Sequence, residues 1–282
     1  MIRAALIQLS SSDDPAENLP IVAEHIRRAK MEGAGFVLTP EVTNCVSSSR
    51  TRQNQVLRHQ EDDMTLAELR LVAQKNSIWL LIGSLALKSG DPDGRFANRS
   101  FLIGPNGGVM ASYDKINMFD VDLSEKETFR ESGGYRPGEK SVLCHTPFAI
   151  IGMTICYDVR FPALYRILAQ SGAGILTIPS AFSPITGHAH WETLLRARAI
   201  ETGSYILAPA QTGIHKASRG RQRETYGHSL AVGPWGEVIA DMGGETGVTL
   251  VHLDMAEVAK ARKRISSLNC ESSFSGPQSS ES

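Results

Sequence analysis

Three side chains pair a reactive group with a place at the end of an apolar run. Cys156 closes "IIGMTIC" and is followed by "YDVRFP", Glu41 closes "FVLTPE", and Lys115 closes "GVMASYDK". A thiol, a carboxyl and an amine so placed suit acyl transfer, with the sulfur as nucleophile, the carboxyl as proton shuttle and the amine holding an oxyanion. A thiol set just before a helix faces the free N–H groups of its first turn, which stabilise the thiolate and lower its pKa. With Pro162 in that first turn, the Tyr157 amide lies beside the sulfur as half of an oxyanion hole. The competing reading is a buried structural cysteine, the ordinary fate of a free thiol and the reading for Cys45, Cys144 and Cys270. Glu41 can serve as the base if burial raises its pKa toward neutrality, with Lys115 beside it.

Histidine is the commoner partner of a cysteine nucleophile, and eight are present. His228 in "YGHSLA" reads as a polar residue bonded within a strand, although a Cys–His hydrolase using His228 or His190 stays open. His188 and His190 in "TGHAHWE" precede a helix without a third ligand at a useful spacing, so no metal is expected there, and no cofactor is implied.

The elements that must position these groups follow from pattern. "IRAALIQL" reads as a strand, and "SSSDDPAENLP" opens a helix to about Glu32, ended by Gly33 and Gly35. "FVLTPE" is a buried strand, "TLAELRLVAQKN" an amphipathic helix, "IWLLIGSLAL" a strand, and "NRSFLIG" with "GVMASYDK" a hairpin around "PNG". The second half starts again with the strand "FAIIGMTIC", the helix "FPALYRILAQSG", the strand "ILTIPSA" and the helix "HWETLLRARAIETG". It closes on the strands "YILAPAQ", "YGHSLAVG", "GEVIADMG" and "GVTLVHLD". Two halves of like order predict an α/β fold of two sheets packed face to face with helices outside; an ordinary doubly wound sheet is the alternative. One domain is expected over 1–265. The Ser-rich segment 266–282 is expected to be a mobile polar tail, and "KARKR" before it a solvated helix face.

Hydrophobic residues make up 41% of the 282, enough for a large core, and a net charge of -1 argues against nucleic acid or an anionic membrane as partner. No segment approaches the roughly 18 apolar residues of a membrane span. Four scattered cysteines without a C-x-x-C pair suggest a reducing, cytoplasmic compartment.

"LTPE", "YDKINMFDVD" and "IGMTICYDVRFP" resemble, in order, the Glu, Lys and Cys motifs of the nitrilase superfamily of carbon-nitrogen hydrolases, and the resemblance runs from about residue 2 to about 265. It implies a four-layer α-β-β-α sandwich and hydrolysis through a cysteine thioester. It implies Glu41 as general base, Lys115 as oxyanion stabiliser and Cys156 as nucleophile, with Glu131 in "ETFRESGGYRPG" orienting Lys115 and the substrate. Tyr157-Asp158 after the cysteine resembles the amidase branches, where true nitrilases carry Trp-Glu. "FDVDLSEKETFRES" and "PSAFSPITGHAHWETLLRARAIET" look most like the branch acting on deaminated glutathione, with ω-amidases near it and N-carbamoyl amidohydrolases or nitrilases further off. A carboxylate-bearing amide would need a cation, for which Arg160 or a residue of "RGRQR" is available; Arg160 could equally brace its helix. The resemblance also implies a homodimer or larger homo-oligomer. A catalytically silent scaffold relative is the non-enzyme alternative.

Overall fold

The computed structural model describes residues 1–124, 127–270, 273 and 275–276. In chain order the elements are β1 (Ile2–Gln8), α1 (Pro15–Met31), β2 (Phe36–Leu38), α2 (Arg50–Val56), α3 (Met64–Asn76), β3 (Trp79–Lys88), β4 (Phe96–Ile103), β5 (Val109–Asp114), β6 (Asp120–Ser124) and β7 (Glu127–Arg130). There follow β8 (Val142–His145), β9 (Ile150–Met153), α4 (Pro162–Gln170), β10 (Ile175–Thr177), α5 (Pro184–Thr202), β11 (Tyr205–Ala208), β12 (Thr212–Ile214), β13 (Glu224–Tyr226), β14 (Leu230–Val232), β15 (Val238–Asp241), β16 (Gly247–Leu253) and α6 (Met255–Arg264).

Helix starts follow the capping residues. Asp14 accepts a hydrogen bond from Ala16 N with Pro15 in the first turn of α1, and Asp63 accepts from Leu66 N at the head of α3. Val22, Ala23, Ile26 and Ala29 form the buried stripe of α1, and Leu66, Leu69, Val72 and Ala73 that of α3.

Two six-stranded sheets result, in the orders β16-β1-β2-β3-β4-β5 and β15-β14-β11-β10-β9-β8. Each centres on a parallel trio, β1-β2-β3 in one and β9-β10-β11 in the other, with antiparallel strands outside. Strand alternation then decides the layers. Ala4, Leu6, Phe36, Leu38, Leu81 and Leu102 share one core with Ile151, Met153 and Ile175 of the second sheet. Their neighbours Ala5, Ile7, Val37, Leu80, Ile82 and Phe101 pack against α1 and α3. The expected two-sheet sandwich is therefore present, with one difference in strand allotment. β16, the last strand, returns to the first sheet, pairing antiparallel with β1 from Ile2↔Leu253 to Gln8↔Gly247.

The polar hairpins β6-β7 and β12-β13 stand outside both sheets. Beyond α6, Ser266–Asn269 form a helical turn with Leu268 buried, and Gln170 Nε2 donates to Leu268 O at 3.0 Å. The packed framework thus continues a few residues past 265, while most of the segment expected to be a mobile tail lies outside the described residues. Among the described residues no helix is long and apolar enough to cross a membrane.

Candidate active site

β9 ends at Met153, and the chain turns through a five-residue 3-10 segment, Cys156–Arg160, before α4 starts at Pro162. Cys156 sits at its head with φ of 49°, a left-handed conformation that a non-glycine residue holds only when its surroundings over-determine it. Asp158 supplies much of that constraint. Its Oδ2 accepts from Ile155 N at 2.9 Å and Tyr113 Oη at 2.7 Å, and its Oδ1 from Asn117 N at 2.9 Å and Asn117 Nδ2 at 2.8 Å. Cys156 N donates to Pro179 O at 2.9 Å. The elbow is thereby tied to both sheets.

The expected lowering of the thiol pKa is not what this geometry produces. Burial first, and the Glu41 carboxylate second, push the Cys156 thiol well up, while the Lys115 charge and the Ala181 N–H pull the other way. A short 3-10 turn has too few aligned peptides to act as the helix N-terminus that the sequence suggested. With its pKa raised, the resting sulfur is a protonated thiol beside the Glu41 carboxylate.

Glu41 follows β2 by three residues and is 4% exposed. Its loop fits because residue 83 on the neighbouring strand is glycine: a Cβ there would lie 1.9 Å from Thr39 O, 2.4 Å from Pro40 O and 2.5 Å from Pro179 Cβ. Gly83→Ala is therefore expected to force this junction apart, costing about 3 kcal/mol or more in urea unfolding and lowering any activity that depends on Glu41. Both Glu41 oxygens are engaged. Oε1 accepts from Lys115 Nζ at 2.8 Å and Asn98 Nδ2 at 2.9 Å, and Oε2 from Ala181 N at 2.9 Å. Burial alone would raise the Glu41 pKa, as expected from sequence. The charge and hydrogen bond of Lys115, aided by Arg223, outweigh it and hold the carboxyl below its usual range. Glu41 is a ready carboxylate rather than a neutral acid.

Lys115, one residue past β5 and 2% exposed, is the centre of the cluster. Its Nζ also donates to Glu131 Oε2 at 2.8 Å and Oε1 at 3.0 Å, and Glu131 Oε2 accepts from Phe119 N at 2.7 Å. Burial would favour the neutral amine, but Glu131 and Glu41 more than offset it and hold the ammonium charged.

Glu41, Lys115, Cys156, Glu131 and Tyr157 all line one cavity of about 530 Å³, together with Phe119, Phe129, Phe182 and Arg223. Arg160 is not in that lining. It lies over the rings of Tyr157 and Phe182 and donates to His190 Nδ1 at 3.2 Å. Among the described residues no histidine lines the cavity, so a Cys–His pairing has no geometric support. His188 and His190 lie within α5 rather than before it, and His188 packs on Tyr226, which stacks on His228. Among the described residues, no cluster is placed to hold a metal.

Sequence reasoning passed over Asn98 and Asp158 as site residues, whereas Arg223 stands among the "RGRQR" residues offered there for a substrate carboxylate. Asn98 lies in the strand "FANRSFLI", and an amide among its apolar residues was a usable signal. Asp158 gave none, since charged residues in loops are usually solvated.

Arg223 sits on the β12-β13 arm, whose seat depends on His215. That ring is 1% exposed, with Nδ1 2.8 Å from Ser11 O and Nε2 2.7 Å from Thr225 Oγ1, and His215 N donates to Arg223 O at 2.8 Å. A carbonyl can only accept, so Nδ1 carries the proton and Nε2 accepts from Thr225. Burial lowers the His215 pKa to about 4. Between about 6.5, where an exposed histidine titrates, and about 4, the unfolded chain binds a proton that the native one does not. Stability from this residue is full above about pH 6.5 and falls as pH drops toward about 4, by about 3 kcal/mol in total. Urea midpoints measured across that range should decline, and His215→Gln should flatten the decline.

Comparison with known proteins agrees with this geometry. The carbon-nitrogen hydrolase family model matches residues 3–263. Deaminated glutathione amidase of Yersinia enterocolitica is 39% identical over 236 residues, 83% of this chain and 80% of that protein. Omega-amidase NIT2 of Bos taurus is 35% identical over 263 residues, 93% and 92% of the two chains. The crystal structure of the C. elegans NitFhit protein superposes with a TM-score of 0.86 at 34% identity, covering 94% of this chain and 63% of that one. The chain belongs to the carbon-nitrogen hydrolase family.

Proposed function

We propose that the protein is an amidase in which Cys156 is the nucleophile, Glu41 the proton shuttle and Lys115, with the Tyr157 backbone N–H, the oxyanion stabiliser. The observation that carries this is the meeting of the three side chains, from loops after β2, β5 and β9, at one end of a single cavity. In the first half-reaction Glu41 takes the thiol proton as sulfur bonds to the amide carbon, and the carbonyl π electrons move to oxygen beside Lys115. The C–N bond then breaks as Glu41 returns the proton to nitrogen, leaving a thioester and a free amine. Water repeats the sequence: Glu41 takes its proton, the tetrahedral species collapses, and the sulfur recovers a proton as the acid leaves. A resting carboxylate on Glu41 and a protonated thiol are the states this cycle needs at its start. Glu131 and Asn98 hold Lys115 and Glu41 in register.

The preferred substrate is a carboxylate-bearing amide. Deaminated glutathione is the first choice, supported by the Yersinia relative, and α-ketoglutaramate the second, supported by the Bos taurus relative. Residues 1–265 act as the hydrolase domain, a reading supported by the family match over 3–263. Four free cysteines support a reducing, cytoplasmic setting. Exposed Ile167 on α4 and Ile185 and Ile200 on α5 support a face for a second copy.

A panel of deaminated glutathione, α-ketoglutaramate, a simple nitrile and an N-carbamoyl amino acid tests the reading. Deaminated glutathione should give the highest kcat/KM. Faster release of ammonia from α-ketoglutaramate would replace the substrate and keep the chemistry, whereas preference for the nitrile would remove the amidase reading.

A further inference from the structure

Glu41 stands in a turn that its own backbone does not favour. The next residue, Val42, has φ of 46°, a left-handed conformation that strains a β-branched side chain. Val42 is 6% exposed and packs with Cys45, Val46, Leu57, Ala86 and Phe96. Its relaxation to negative φ would swing the Glu41–Val42 peptide, and with it the carboxylate, out of register with Lys115 and Ala181. Something must oppose that motion.

One residue of the neighbouring strand does so. Between the pairs Ile82↔Phe101 and Leu85↔Arg99, β3 carries one residue more than β4, a bulge that falls on Gly83 and Ser84. Ser84 is 0% exposed, and the bulge turns its polar groups toward the Glu41 turn. Ser84 N donates to Pro40 O at 3.2 Å, Ser84 O accepts from Thr43 N at 2.9 Å, and Ser84 Oγ accepts from Val42 N at 2.7 Å. These bonds fall on both sides of Glu41.

The two backbone bonds are open to any residue at 84, whereas the third needs the hydroxyl and is made to the strained residue itself. Gln211 Nε2 holds the other end of the same peptide, donating to Glu41 O at 3.0 Å. One such bond leaves a peptide free to pivot; two opposed bonds do not. The remaining side-chain bonds of the turn, Thr39 Oγ1 with Thr43 Oγ1 at 2.8 Å and Thr43 Oγ1 to Pro40 O at 2.7 Å, do not reach the Val42 amide.

We propose that the Ser84 hydroxyl is the positioning group for Glu41: by holding the Val42 amide it keeps the strained turn, and so the carboxylate, where protons can be shuttled. The proposal rests on the proton-shuttle reading of Glu41 given above. Ser84 touches no reacting atom and acts through the peptide that follows Glu41.

The test is a two-by-two set in the full chain, Ser84→Ala, Val42→Gly and both together. For each, kcat/KM is followed across pH with deaminated glutathione, or with α-ketoglutaramate if that proves the faster substrate. Ser84→Ala should lower kcat/KM by about tenfold or more, mainly through kcat, as a small misplacement of a reacting group does. Because Glu41 then sits less well against Lys115, the acid limb of the profile should move to higher pH. Val42→Gly alone should not raise activity, since it removes a buried side chain and relieves a strain that Ser84 already contains. In the Ser84→Ala background it should restore at least about threefold, because glycine takes a positive φ without penalty. A hydroxyl that only stabilised the fold would give losses that add, an unmoved acid limb and no gain from glycine. Should Ser84→Ala not fold, as read by urea unfolding, Ser84→Cys, close in shape but a weaker acceptor, takes its place with the same expected directions. Activity within about twofold of wild type with an unmoved acid limb, or a glycine that lowers activity in both backgrounds, overturns the proposal. Glu41→Gln run alongside separates the two readings. Wild-type activity in that variant removes the shuttle itself, whereas its collapse beside an unaffected Ser84→Ala removes the positioning role alone.

Discussion

Glu41→Gln is expected to lower amide kcat/KM by about a thousandfold, within the range for losing a general acid–base group, while making Cys156 easier to alkylate at low pH. The two effects have one cause. The Glu41 carboxylate takes and returns the proton in both half-reactions, so a neutral amide in its place stalls acylation and deacylation alike. The same carboxylate is one of the groups that push the Cys156 thiol up, second to burial. Removing its charge while Lys115 stays in place moves the thiol pKa down. The pH at half-maximal iodoacetamide alkylation should therefore shift toward acid in the variant as turnover collapses. A variant that loses both reactivities together would point to a disrupted fold instead, a distinction that urea unfolding checks.

Lys115→Met should be the most damaging substitution for activity and stability together. The ammonium neutralises two buried carboxylates at once, with Nζ 2.8 Å from Glu41 Oε1 and 2.8 Å from Glu131 Oε2. Without it the two acids face each other unpaired, and breaking a buried ion pair from one side costs about 3–5 kcal/mol. One of the carboxyls then keeps a proton well above its usual pH. Because the folded-state pKa is raised in the variant, the loss is smallest at low pH and grows as pH rises through that value. Activity suffers twice, through the missing oxyanion partner, worth about a hundredfold or more, and through a Glu41 no longer ionised at neutral pH. Residual activity should rise toward alkaline pH, measurable as a shifted kcat/KM profile alongside urea midpoints at several pH values.

The sandwich was legible because its strands carry long apolar runs bounded by glycine, proline and cap residues. Ala4 to Ile7 alternate between two buried faces, and such a pattern fits a strand between a sheet and a helix layer. The return of β16 to the first sheet was not legible, since pairing across more than 200 residues leaves no local mark; the register Ile2↔Leu253 follows from the global packing. The hairpins β6-β7 and β12-β13 were missed for a different reason. "DVDLS" and "ETY" carry little apolar alternation because these arms wall a cavity instead of covering a core.

At the site, Glu41, Lys115 and Cys156 stood out because each breaks an apolar run at its end. Their electrostatics did not. The sign of the Cys156 and Glu41 shifts depends on each other, on Lys115 and on Arg223, residues far apart in sequence. The left-handed φ of 46° at Val42 and 49° at Cys156 was equally invisible, since neither residue type favours it.

The most direct measurement is mass analysis, with peptide mapping, of protein quenched during turnover of a slowly hydrolysed carboxylate-bearing amide. The expected result is a single acyl mass on the peptide containing Cys156, formed by the wild-type protein and much more slowly by Glu41→Gln. Acylation of Cys45, another residue of the cavity lining, or continued hydrolysis with Cys156 unmodified throughout, would contradict it.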